Sequence, residues 1–257
     1  MENPVYGWGL PPDVSVAGPA IDHLIIVVHW FMAALFIGWG CFFIYCLIRF
    51  RKRDGRKASY ESAHSKLPKF LEVGIVLFEV FLLVGLSYPI WSKYKNSPPP
   101  ASESLSVRVI AQQFVWNFQY AGPDNQFGKT SPQFISDSNQ IGLDPNDPAG
   151  KDDIITINQL HFPVHKPVIV QISSKDVIHS FAIPVLRVKQ DAIPGMSIPI
   201  WFEATDTGQF EIGCAQLCGV GHSLMKGYVS IDTPEQFTAW VNEQEQALAP
   251  APIPGSH

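Results

Sequence analysis

Residues 213–227 read GCAQLCGVGHSLMKG, which places Cys214, Cys218, His222 and Met225 within twelve residues. A fifth donor, His179, stands 35 residues upstream in the apolar run VIHSFAIP. Thiolate and thioether are soft ligands that suit copper(I), and imidazole serves both oxidation states, so the group reads as a copper site. The segment is framed by GQFEIGC and GYVSID, two of a series of short strand-like runs that also includes DIITI, KPVIVQISS and IPIWFEA. Short strands separated by turns point to a β-sandwich or a Greek-key barrel.

Further out from the ligand loop, SLSVRVIAQQFVWNFQY is rich in β-branched and aromatic residues, with Val107, Val109 and Ala111 alternating against Arg108, Ile110 and Gln112. Residues 105–233 form the β domain on this reading. The stretch 121–151 interrupts it with polar, turn-rich sequence and reads as a long surface excursion. Thr233, Pro234 and Glu235 supply an N-cap, a proline at N1 and an acid in the first turn of a helix. Phe237, Trp240 and Val241 share one face of that helix, and the tail APAPIPGSH reads as disordered. Residues 234–257 are thus a terminal helix and tail.

One upstream His followed by a Cys…His…Met loop on a β-barrel is the pattern of a single blue-copper site. Here a second cysteine sits in the same loop. Two thiolates can bridge two metals, each completed by one His and one weak ligand, which would lower the reorganisation that opposes electron transfer. A membrane-tethered carrier with one copper stays open as the alternative. A disulfide would leave the His and Met spacings unexplained, and a four-ligand zinc site has no use for the Met. A copper chaperone would expose its ligands, whereas His179 is embedded in apolar sequence. Cys41 and Cys46 read as structural, His161 and His165 as surface residues of a proline-flanked turn, and His29 as a hydrogen-bonded packing residue. No CxxCH occurs, so the chain carries no covalent c-type haem.

The 46% hydrophobic composition is unevenly spread. Residues 24–48 contain no Asp, Glu, Lys or Arg, enough to cross the roughly 30 Å hydrocarbon core as a helix. A second run, 70–91, also suffices, although it carries Glu72 and Glu79. Residues 22–91 read as a transmembrane helical hairpin, preceded by an outer segment 1–21 and followed by a Pro-rich linker 92–104. The connecting loop 49–69 holds eight Lys and Arg against Asp54 and Glu61, while the first 22 residues hold no Lys or Arg. The positive-inside rule places that loop in the cytoplasm and both termini outside. The start lacks a basic n-region, so the first span reads as an uncleaved anchor. Residues 92–257 hold ten basic against sixteen acidic residues, which argues against nucleic acid as a partner.

The sequence resembles cytochrome c oxidase subunit II from the first span to about Asp232, on the two spans, DVIHSFAIP, LRVKQDAIPG and CAQLCGVGHSLM. The resemblance implies an α+β membrane protein, a two-helix hairpin followed by a Greek-key cupredoxin barrel. It implies a dinuclear copper A centre with His179, Cys214, Cys218, His222 and Met225 as ligands and Gln216 supplying a backbone carbonyl. It further implies docking on subunit I, which bears the haem, reduces oxygen and pumps protons, with Arg187, Asp191 and Gln216 at that interface. Cytochrome c or an upstream respiratory complex is the implied donor, and a bacterial inner membrane the implied location. Three departures stand out. Gln216 replaces the usual Glu, keeping the carbonyl but losing the carboxylate that binds a magnesium shared with subunit I. The tryptophan where electrons enter falls on Phe114, with Trp116 retained, so these two are the expected points of entrance. Glu72 matches the family glutamate at the mouth of a proton pathway, whereas Glu79 stands where the family has proline. A mid-membrane carboxylate is a functional candidate, and the favoured reading is that Glu79 is protonated or bonded to a helix of subunit I. The insertion 123–153 is not general to the family.

Overall fold

The structure, a computed structural model, describes residues 9–55, 57 and 65–248. Arg56, Glu61 and the tail from residue 249 lie outside the described residues. Two compact units emerge, the helices at 20–96 and the β domain, which includes the N-terminal segment.

Helix α1 (Gly18–Phe50) spans 33 residues, about 50 Å at 1.5 Å per residue, and so outruns the apolar stretch 24–48 at both ends. The second helix is continuous from Leu67 to Asn96. It comprises α2 (Leu67–Val80), a π-helical stretch (Phe81–Ser87) and α3 (Tyr88–Asn96). Pro89 has no N–H to give the Gly85 carbonyl, and the widened turn just before it accommodates that loss. Ser87 Oγ donates to the Leu82 carbonyl at 3.0 Å within the same stretch. The linker therefore begins at residue 97 rather than 92. Ser92 to Asn96 are compatible with helix, and only Pro98 to Pro100 force an end. None of the most apolar stretch of α1 is buried, and only 6% of that of the second helix. These are not core helices of a soluble domain; their apolar surface needs a bilayer or a protein partner. Phe31 packs on Phe78, ring centroids 4.7 Å apart, to join the pair.

The β domain is two five-stranded sheets. One runs β3 (Ile154–Ile157), β2 (Val115–Tyr120), β1 (Leu105–Gln112), β5 (Val168–Ser174), β8 (Ile198–Phe202). The other runs β4 (Gln159–Pro163), β10 (Lys226–Asp232), β9 (Gly208–Cys214), β6 (His179–Ile183), β7 (Val188–Ala192). The pairs β1–β5 and β4–β10 are parallel and non-consecutive, the crossovers of a Greek-key arrangement. Val107, Val109 and Ala111 point inward as their alternation requires, against Val168, Val170 and Ile172 of β5 and Phe181 of β6 in one apolar core.

The N-terminal segment is not a free extension. Val14 is buried in the core, its N–H donates to Val185 O at 3.0 Å, and its carbonyl accepts from Thr205 N at 2.9 Å. The excursion 121–151 is likewise folded back onto the sheet. Its anchor is Asp153, buried, whose Oδ2 accepts from Gln119 Nε2 at 2.6 Å and Gly128 N at 2.9 Å. The Arg108 guanidinium lies 4.4 Å over the Phe127 ring and donates to Gly128 O at 3.1 Å. Burial pushes the Asp153 carboxyl upward against those hydrogen bonds, so its ionised form costs stability as pH rises through the raised value. Asp153→Asn keeps an acceptor without the charge and is expected to gain on the native chain in melts taken from pH 4 to 7. Asp153→Ala strands both donors and is expected to lose about 1–3 kcal/mol.

Helix α4 (Pro234–Leu248) starts at a capping box: Gln236 N donates to Thr233 Oγ1 at 3.3 Å and Gln236 Oε1 accepts from Thr233 N at 3.0 Å. Trp240 from α4 stacks on His161 at 4.4 Å and meets Tyr120 edge-on at 5.2 Å. His161 belongs to β4, not to a turn, and its Nδ1 bonds Asp232 at 2.9 Å. Only His165 sits in the turn, with φ 57°.

Candidate metal centre

Register brings the upstream and downstream donors together. Strands β6 and β9 pair with Phe181 opposite Cys214, and Ala215 N donates to Ser180 O at 2.9 Å. The chain thus leaves β9 beside His179, the first residue of β6. His179, Cys214 and Cys218 offer ligand atoms all within 4.8 Å of one another. The two sulfurs are 3.8 Å apart and the cysteines are free, not a disulfide. On the Cys214 side lie His179 Nδ1 at 3.9 Å and the Gln216 carbonyl at 3.2 Å. On the Cys218 side lie His222 Nδ1 at 3.6 Å and Met225 Sδ at 3.8 Å. Met225, Cys218 and His179 are buried, which does not suit a metal chaperone.

The donor set fits copper. Burial, then the contact with Cys214, pushes the Cys218 thiol up to about 11. Metal binding at such a site needs the thiolate form, and a soft cation is the partner that supplies the compensating charge at the crowded sulfurs. A carboxylate orients the His179 ring, since Asp176 Oδ1 is 2.8 Å from its Nε2 and leaves Nδ1 to face the sulfurs. Burial raises the Asp176 carboxyl, but the N–H of Gln113, the His179 ring and the N–H of Val177 outweigh it and hold the group below its ordinary value.

Phe114 is half-buried and lies against the ligand loop. A Cβ on Gly221 would fall 2.5 Å from its ring, so the contact is with bare backbone. Trp116 is fully buried, 6.2 Å from His179 and 5.5 Å from Phe181 by ring centroids, which rules it out as a surface that a donor could touch. Arg187 has φ 56° and donates to Pro11 O at 2.8 Å and Pro184 O at 2.7 Å, clasping the N-terminal segment. Asp191 accepts from Ser180 Oγ at 2.7 Å and Lys189 Nζ at 3.3 Å; the Ser180 bond foremost holds its carboxyl below the usual range. Gln216 is exposed. Glu72 and Glu79 belong to α2, seven residues apart and therefore on one face, both exposed. Sequence reading missed Asp176 and Gln113; the one available signal was an acid three residues before His179.

Fold and site together define a membrane-anchored subunit whose sheet-rich, cupredoxin-like domain carries a thiolate, imidazole and thioether site at one end. The family profile described as "Cytochrome C oxidase subunit II, periplasmic domain" matches residues 105–231. The alternative cytochrome c oxidase subunit 2 of Bradyrhizobium diazoefficiens is 35% identical over 227 residues, covering 88% of this chain and 80% of that relative. Cytochrome c oxidase subunit 2 of Thermostichus vulcanus is 29% identical over 276 residues, covering 95% and 80%. The crystal structure of the periplasmic domain of subunit II of cytochrome oxidase from Bradyrhizobium japonicum is 31% identical, with a TM-score of 0.43, over 59% of this chain and 99% of that one. The chain belongs to the cytochrome c oxidase subunit II family.

Proposed function

We propose that this chain holds two copper ions as a copper A centre, accepts electrons from a cytochrome c donor outside the membrane, and delivers them to the haem of subunit I. Oxygen reduction and proton pumping then belong to subunit I. The observation that carries this reading is the pair of sulfurs 3.8 Å apart with separate end donors on each side. A mononuclear carrier has no use for the second thiol. His179, Cys214, Cys218, His222, Met225 and the Gln216 carbonyl would hold the ions. Bound there, a copper pair supplies a one-electron couple whose charge change is spread over two metals. The chain's own contribution is rigidity: ligands sit on two paired strands and one loop, with Asp176 fixing the His179 ring.

Both ends of the hairpin lead into the β domain. Val16 N bonds Glu203 O at 3.1 Å just before α1, and the second helix ends eight residues before Ser104 closes the linker into β1. Two spans return a chain to the side it left. This supports termini and copper domain outside a bacterial inner membrane, with the basic loop in the cytoplasm. We assign Arg187, Asp191 and Gln216 to the subunit I side, Glu72 to the mouth of a proton path, and Glu79 to a contact with a subunit I helix. The amide of Gln216 gives no carboxylate to a magnesium.

The test is metal analysis with EPR on the copper-loaded full chain in detergent. Two coppers per chain, with one unpaired electron split by both nuclei, is the expected result. One copper with a single-nucleus pattern would make this a tethered mononuclear carrier instead.

A further inference from the structure

The excursion 121–151 and Gln113, in the turn between β1 and β2, have no part in the function described so far, yet hydrogen bonds connect them to the metal site. Gln113, in that turn, makes two contacts with different halves of the centre. Its main-chain N–H donates to Asp176 Oδ2 at 2.7 Å, and the other oxygen of that carboxylate holds His179 Nε2 at 2.8 Å. Its side-chain Nε2 donates to the carbonyl of Cys218 at 2.6 Å. One residue therefore ties the strand-borne histidine to the loop-borne cysteine.

The loop needs such a tie. From Gly219 onward its main-chain bonds are internal: His222 N to Gly219 O, Leu224 N to Gly221 O, Met225 N to His222 O. Among the described residues, the Gln113 amide is the one hydrogen-bond partner that another element gives the main chain of 217–221. Space is reserved for it. Gly219 has φ +133°, and a Cβ there would lie 2.7 Å from Gln113 Nε2, so a side chain would displace the amide. On the far side the turn is braced by the excursion. Gln112 Nε2 donates to Gln140 Oε1 at 2.9 Å, and Lys175 Nζ bridges Gln112 Oε1 and the Gln140 carbonyl. Lys175 precedes Asp176 and donates its own N–H to Ala111 O at 3.0 Å, closing the network.

We propose that Gln113 is a positioning residue for the metal centre, clamping the Cys218 loop to the Asp176–His179 pair, and that the excursion braces this clamp through Gln140. The proposal rests on the copper reading. A part-buried amide-to-carbonyl bond restrains where the Cys218 sulfur sits, and outer-shell partners of this kind tune a metal site without touching the metal.

The experiment compares copper-loaded full chains in detergent: native, Gln113→Met, Gln140→Ala, and Ile231→Val as a stability control in the core, five residues along β10 from Lys226. A native chain without two coppers would sink the parent reading and is distinguishable at once. With two coppers present, Gln113→Met is expected to keep both while losing them to a chelator about tenfold faster, with altered copper splittings in EPR and a shifted reduction potential. Gln140→Ala is expected to move the same readouts in the same direction by less. Should Gln113→Met fail to accumulate, Gln113→Asn, which carries the amide on a shorter arm, is measured in its place. Native splittings, potential and extraction rate in the Gln113 variant would overturn the proposal. So would equal changes in Ile231→Val, since they would mark loss of general stability only.

Discussion

Replacing Cys218 with Ser is expected to abolish the dinuclear signal and to lower cytochrome c oxidation by the assembled oxidase by more than about 100-fold. That exceeds the roughly 10–100-fold typical of losing an outer-shell partner at a metal site. The geometry makes Cys218 the hub. Its sulfur lies within 3.8 Å of Cys214 Sγ, His222 Nδ1 and Met225 Sδ, whereas Cys214 Sγ faces His179 Nδ1 and the Gln216 carbonyl. A serine hydroxyl is a harder donor and stays protonated at neutral pH, so it neither bridges nor prefers copper(I). Cys214→Ser is expected to be the milder change. It leaves Cys218, His222 and Met225 together, a His, thiolate and thioether set, and should retain one copper with a single-nucleus EPR pattern. Metal content and EPR on the two variants check this asymmetry. Equal retention of copper in both would contradict the hub role of Cys218.

The site is legible in the sequence because four of its donors fall within twelve residues of one loop, where spacing alone brings them together. His179 is legible as the one histidine embedded in a strand-like apolar run. What escapes the sequence is what depends on tertiary register. Gln113 reaches Cys218 across 105 residues and Asp176 across 63, and nothing local in QQF marks either contact. The excursion departs from its expected form for a related reason. Its composition is that of an exposed loop, but a single buried carboxylate, Asp153, collects Gln119 and Gly128 and pins it to the sheet. The N-terminal PPDVSV is too short to read as structure, yet backbone pairing and the burial of Val14 make it part of the β domain. Flanking prolines suggest a turn at His161. The strand register with β10 overrides that, setting Ser230 opposite His161 and drawing Asp232 into its hydrogen bond. The span limits differ in the expected direction: hydropathy marks where the bilayer is, and a helix ends where its backbone must, here at the triple proline.

Phe114→Ala is expected to slow reduction of the centre by its protein donor at least about tenfold while leaving copper content and EPR splittings unchanged. Position is the reason. An aromatic ring that is only half-buried and rests on the backbone of Gly219 and Gly221 has one side toward solvent and the other toward the loop that carries Cys218 and His222. Trp116 has no such outer side, being fully buried against Phe181 and His179. Its truncation to alanine would open a core cavity costing about 3–5 kcal/mol, so the informative change there is Trp116→Phe. Stopped-flow reduction by cytochrome c separates the two residues. If Phe114 is the contact, Phe114→Ala slows the protein donor but not a small-molecule reductant, and Trp116→Phe changes neither rate much. The sixteen acidic against ten basic residues of 92–257 further predict that the protein-donor rate falls as salt screens the approach of a basic partner. Unchanged donor kinetics in Phe114→Ala would move the point of electron entrance elsewhere on the β domain.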